Sequence, residues 1–141
     1  MTRALKPYMG ISSANNTIYK CDTGTDDAGT TYQAYIDTKP EAPFGFGFNV
    51  SVTDPQLVGE VASGVTITVS PLSDFGLSTA QAGTCLLTAA GSETRVQRRI
   101  EGLQTAGAGV VGFRVGDAAA VSNAWTLDAL LGVYHQQEAR S

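Results

Sequence analysis

The longest strict alternation in the chain sets Phe44, Phe46, Phe48, Val50 and Val52 against Gly45, Gly47, Asn49, Ser51 and Thr53. Successive side chains of a β-strand point to opposite faces, so this period of two predicts a strand with one buried row. Upstream, Tyr32, Ala34, Ile36 and Thr38 alternate with Gln33, Tyr35, Asp37 and Lys39, which predicts a second strand, and Pro40 ends it. Downstream, Asp54-Pro55 reads as a turn and Leu57 to Val61 as a short element. Val65 to Ser70 reads as a strand with β-branched residues on both faces. Pro71 to Gly76 turns the chain again, and Cys85-Leu86-Leu87-Thr88 is a short apolar run before Gly91.

The segment from Thr94 to Leu103 carries the densest positive charge. As a strand it sets Val96, Arg98 and Ile100 on one face and Arg95, Gln97, Arg99 and Glu101 on the other, so Arg95 and Arg99 point to solvent or to a partner. Val111 to Val115 predicts another strand with Gly116-Asp117 as its stop, and Ala118 to Ala124 is a small-residue connector. The last apolar run, Trp125 to Tyr134, fits two periods. Leu127, Leu130, Leu131 and Tyr134 have helical spacing, while Trp125, Leu127, Ala129, Leu131 and Val133 form a strand row. Gly132 would cost a helix about 1 kcal/mol relative to alanine, so the strand is favoured. That choice places Trp125, Leu127, Leu131 and Val133 in the core. It leaves Asp128, Leu130 and Tyr134 on the opposite face, with Leu130 and Tyr134 as candidate subunit contacts.

Residues 1–30 lack such periodicity and are rich in Asn, Ser, Thr, Asp and Gly. They read as an irregular N-terminal arm ahead of a domain over 31–141. Tyr8, Met9, Ile18 and Tyr19 are its apolar anchors, suited to docking on a neighbouring subunit.

Composition narrows the class. In 141 residues the chain is 43% hydrophobic and only 16% charged, with 16 glycines, which suits one all-β domain with a core of its own. A net charge of −4 gives no general attraction to nucleic acid or to an anionic membrane surface. No run approaches the ~18 apolar residues of a transmembrane helix, and the first residues lack the apolar core of a signal peptide, so synthesis in a cytoplasm is expected. The N-x-[ST] pattern that begins at Asn49 is then expected to carry no glycan.

Candidate chemistry is sparse. Cys21 and Cys85 are far apart and in no metal-binding spacing, and the expectation is two reduced, partly buried thiols. His135 has no companion for a nucleophilic triad. Neither a cofactor nor a metal is called for. Asp22-Thr23-Gly24 resembles the catalytic turn of the short homodimeric aspartic proteases, in which two carboxylates share a proton. Asp22 would be the catalytic residue, Phe44 to Phe48 a flap and Val110-Val111-Gly112 the supporting turn. Three features argue against an enzyme of this kind: Lys20 interrupts the expected apolar lead-in, Thr25 replaces a small residue, and the second motif comes late. The acidic cluster from Asp22 to Asp27 also resembles part of a calcium loop, but Gln33 stands where a bidentate Glu is needed.

From Thr94 to Arg140 the order is an Arg-rich strand, Val-Gly-Asp, a small-residue loop, Trp-Thr-Leu-Asp-Ala-Leu-Leu and a polar tail with Glu138 and Arg140. This resembles the last strands of β-sandwich modules in virion proteins of tailed bacteriophages, such as capsid decoration, neck, hub and tail components. The resemblance covers the last third of the chain. It implies a two-sheet β-sandwich of about seven or eight strands and a structural role in the virion. The implied partners are copies of itself and other virion proteins, met as a homo-oligomer within an assembly, with no nucleic acid and no membrane. A carbohydrate-binding sandwich is the alternative, suggested by aromatics such as Tyr35 and by the glycines opposite the phenylalanine row.

Overall fold

The computed structural model describes residues 33–89, 91–105, 107–117 and 124–139, together with the backbone of four short strands nearer the N-terminus. Those four are β1 (Tyr8–Gly10), β2 (Ile18–Lys20), β3 (Asp26–Asp27) and β4 (Thr30–Thr31). They form two separate two-stranded ladders, β1 with β2 and β3 with β4. Eight strands follow: β5 (Tyr35–Asp37), β6 (Phe48–Val61), β7 (Val65–Ser73), β8 (Gly76–Leu77), β9 (Gly83–Leu87), β10 (Arg95–Arg99), β11 (Val111–Asp117) and β12 (Trp125–Ala139). A single 3-10 turn at Thr79–Gln81 is the helical element among the described residues.

All the pairings are antiparallel. One sheet has the order β10-β6-β12; the other runs β5-β11-β7, with β8 and β9 sharing the far edge of β7. The sheets meet at one corner, where Thr84 and Glu101 exchange backbone hydrogen bonds of 2.9 Å in both directions. The result is an all-β, sandwich-like half-barrel, continuous through the β9 corner. No ladder joins β5 to β12, so the curl is open between those two edges.

The core follows the alternation where β-branched residues set it. Val65, Ile67 and Val69 of β7 face Val111, Phe113 and Val115 of β11 on one sheet. Val50, Leu57 and Val61 of β6 with Val96 and Ile100 close the other side. Each such aliphatic contributes roughly 1.5–3 kcal/mol by leaving water.

Three expectations for the chain up to Pro55 are corrected. The phenylalanine row is not one buried face: residues 43–47 form turns, Phe44 packs on the core, and Phe46 is 73% exposed, so the strand begins only at Phe48. Asp54-Pro55 does not end the strand. Asp54 takes a positive φ of 47°, and the register of β6 against β12 jumps here, so the pair forms a kink inside one long strand. The strand around Ile36 is short and exposed instead of half-buried, because it is an edge paired only to β11.

The third strand of that first sheet carries the most consequential correction. β12 is a strand, as the glycine argument predicts, but its faces are not those of strict alternation. The register with β6 shifts between Leu127 and Ala129, which makes Asp128 an extra residue in the strand. A one-residue insertion moves everything beyond it to the other face. Trp125, Leu127, Leu130 and Tyr134 therefore pack against the core, while Leu131 and Val133 face outward. Leu130 and Tyr134, expected as outward contacts, are turned in.

Gly83 lies at the corner where β9 runs against the chain that follows β10. A Cβ there would stand 2.7 Å from the carbonyl of Glu101, the side chain of Ile100 and the amide of Leu103. Gly83→Ala is expected to lower the unfolding free energy by about 1–3 kcal/mol, read as a lower urea midpoint, because backbone has to move. Gly47→Ala, where nothing lies within 4 Å, should stay within about 0.5 kcal/mol of the parent.

Candidate functional site

The outer face of the β10-β6-β12 sheet is a set of cross-strand polar pairs with an aliphatic strip along its free edge. Arg95 donates from Nε to Asp128 at 2.9 Å and lies 3.7 Å from Glu60 across β6. At the other end of β10, Arg99 stands 3.8 Å from Asp54. Between them Gln97 donates to Gln56, and near the far end of β12 the hydroxyl of Thr53 and Nε2 of His135 are 2.8 Å apart. Exposed pairs of this kind contribute at most about 1 kcal/mol each. They share the outer face with Leu131 and Val133, which are 45% and 54% exposed on the edge strand.

Two further apolar groups stand out of the surface at the β7–β8 hairpin, Phe75 (73% exposed) and Leu77 (45%). Both central residues of that turn, Asp74 and Phe75, have positive φ, a conformation that favours Asn and Gly. The Asp74 carboxylate fixes it by accepting from the amides of Gly109 and Val110, each at 3.1 Å.

The open seam between β5 and β12 is closed at one end by Asp117. Asp117 is 7% exposed, and its carboxylate accepts from the amide of Ala34 at 3.2 Å and from the indole Nε1 of Trp125. One side chain thus ties the ends of β11 and β12 to the entry of β5. At the other end the seam widens into a cavity of about 270 Å3 walled by Val52, Phe113, Leu130 and Tyr134, with Thr38, Lys39 and Glu41 on the β5 side. Burial, with the Glu41 charge adding to it, pushes the Tyr134 phenol above its ordinary value.

On the outer face of the second sheet, Arg114 forms a two-pronged pair with Asp37, both bonds at 2.7 Å, and its guanidinium lies 4.2 Å over the Tyr35 ring. The hydrogen bond from Arg114 holds the Asp37 carboxyl below the usual carboxylate value. Cys85 is a free, buried thiol; burial pushes its pKa up, against a smaller opposing pull from Arg98.

The residues singled out from sequence do not converge on one point. Arg95 and Arg99 lie on the outer face of β10, both engaged with carboxylates of their own sheet. Met9 and Tyr19 are register partners in the β1–β2 ladder, next to Tyr8 and Ile18, and the side chains of these four lie outside the described residues. So do Asp22 and Cys21. Among the described residues no three His, Cys, Asp or Glu side chains gather as a metal-ligand group, and no helix is long and apolar enough to cross a membrane. Sequence reasoning missed Leu131 and Val133 as the outward pair. The available signal was the acidic Asp128 inside an apolar run, which an outward bulge accommodates. Compared with known proteins, the chain matches no family model, no curated protein and no solved structure.

Removing the Asp117 carboxylate strands two donors. Asp117→Ala should lower stability by about 1–3 kcal/mol and shift the emission of Trp125 to the red, with Asp117→Asn, which keeps an acceptor, less affected. For Asp37 the folded-state pKa is depressed, so its stabilisation is present above the ordinary value of about 3.9 and is lost as pH falls through the depressed one. The stability difference between the parent and Asp37→Asn should accordingly be constant near neutrality and shrink below about pH 4, as followed by urea melts across that range.

Proposed function

We propose that the chain is a structural subunit of a bacteriophage particle, binding neighbouring virion proteins through its N-terminal segment and the outer face of the β10-β6-β12 sheet. The observation that carries this reading is the aliphatic strip of Leu131 and Val133 on a strand whose outer edge is unpaired among the described residues, beside a row of cross-strand ion pairs. Apolar groups flanked by ordered polar ones make the core-and-rim pattern of a protein interface. Phe46, Phe75 and Leu77 add apolar surface outside that sheet. The resemblance of the C-terminal third to virion sandwich modules supplies the type of assembly. Copies of the chain and other virion proteins are the partners on this reading, and its place is the virion after synthesis in the host cytoplasm.

A carbohydrate-binding role is the second reading, favoured by one observation. Tyr35 is exposed and carries the Arg114–Asp37 pair against its ring, an aromatic plane with polar groups beside it. A glycan array decides that reading, since binding lost in Tyr35→Ala is its required result.

The assembly reading is tested by sedimenting the full chain with separated capsid, neck and tail fractions of a tailed phage that encodes it. Co-sedimentation with one fraction, weakened about tenfold or more by Val133→Asp, is the expected outcome. A chain that stays in the supernatant with every fraction overturns the proposal.

A further inference from the structure

We infer that β12 is a two-fold pairing edge, joining a second copy of the chain antiparallel to itself so that one six-stranded sheet, β10-β6-β12 with its symmetry mate, crosses the dimer. The inference rests on the assembly reading above and names one of its contacts. β12 is 15 residues long and, among the described residues, bonded on one side only, to β6. Natural edges are blunted by shortness, proline, charged side chains or bulges; β12 has an extra residue at Asp128 and another after Gln136, with a run free of extra residues over 129–136 between them. The opposite free edge, β5, is three residues long, whereas Trp125 to Ala139 holds no proline, lysine or arginine.

The sequence of β12 is complementary to itself in one register. The midpoint of Trp125–Ala139 is Gly132, so setting the two Gly132 residues opposite each other overlaps the whole strand with its mate. Glycine at the axis leaves room for two backbones to meet. Leu131 then stands opposite Val133 of the partner subunit, which covers the two outward aliphatics of each copy. Leu130 stands opposite Tyr134 of the partner subunit, and both line the seam cavity, so the added strand extends the inner face along that cavity.

Charge selects the same register. Glu138 meets Thr126 of the partner subunit, a carboxylate opposite a neutral donor, and Asp128, the extra residue turned to Arg95 on the outer face, meets no carboxylate. A two-residue slip that centres the pair on Val133 would instead set Asp128 against Glu138 of the partner subunit, like charges directly opposed. The irregularities agree as well. The extra residue at Asp128 falls opposite the register break after Gln136, which leaves 129–131 to pair with the regular stretch 133–135.

Because the contact is isologous, residues 131 and 133 face each other twice. Light scattering behind size exclusion, with sedimentation equilibrium for the affinity, reads the test on the full chain. The parent is expected to dimerise; Leu131→Asp and Val133→Lys should each lower dimer affinity about tenfold or more; and the double variant should recover most of that loss, since the new charges of opposite sign meet across the axis. Both positions are exposed, so an unchanged urea midpoint checks that each variant is folded. A monomeric parent overturns the inference. So does a parent dimer that neither single variant weakens, and that outcome leaves the assembly reading standing because association then uses another surface. Loss in both single variants without recovery in the double variant overturns the proposed register.

Discussion

The constraint on which the architecture depends is the pairing of β12 with β6 while four large side chains of β12 stay on one face. Trp125, Leu127, Leu130 and Tyr134 are spaced at two, three and four residues, which no flat strand can turn to one side. The fold meets that demand with the extra residue at Asp128, and the kink at Asp54-Pro55, an extra residue in β6 opposite Gly132, does the same for Leu57 and Val52 of β6. Each break in the ladder forfeits a regular backbone pair. Each also turns an apolar side chain into the core, and burial of a leucine outweighs one exposed ladder bond, at roughly 2 against 1 kcal/mol.

Those irregularities set the chemistry of the surface. The inserted Asp128 is the residue that reaches Arg95, so the ion-pair row on the outer face and the inward packing of Leu130 have a common origin. The side chains displaced outward are Leu131 and Val133. Surface apolarity on this edge is therefore a by-product of core packing that the proposed interface puts to use. At the start of the same strand, Asp117 joins three strand ends with one carboxylate, and the seam beyond it stays open.

Much of the fold was legible in the sequence. The strands around Val65, Val96, Val111 and Trp125 all follow from period-two patterns and turn residues, and the all-β class follows from them. The failures share a physical cause. Alternation reports a flat strand, and it misassigned Phe46, Leu131 and Val133 at the places where a turn or an inserted residue breaks the period. Asp54-Pro55 reads as a turn in the sequence, although a long strand can carry proline at a kink where one residue has no partner. The linkage of Asp117, Ala34 and Trp125 was out of reach, because a buried carboxylate takes its partners from strands far apart in the chain. The outer aliphatic strip inherits the error at Asp128; the polar face of β10 does not, since that strand is regular.

The place of β6 in the sheet order has a further consequence for how the protein comes to be folded. Its two ladder partners are β10 and β12, so it is flanked in the sheet by strands made much later than itself. During synthesis the 14 residues from Phe48 to Val61 wait with both edges unpaired until residue 99 has emerged, and with one edge unpaired until residue 139 has. The ladder with β12 closes a loop of more than 60 residues, and the interval before it forms is when such a strand is most open to pairing with the wrong chain.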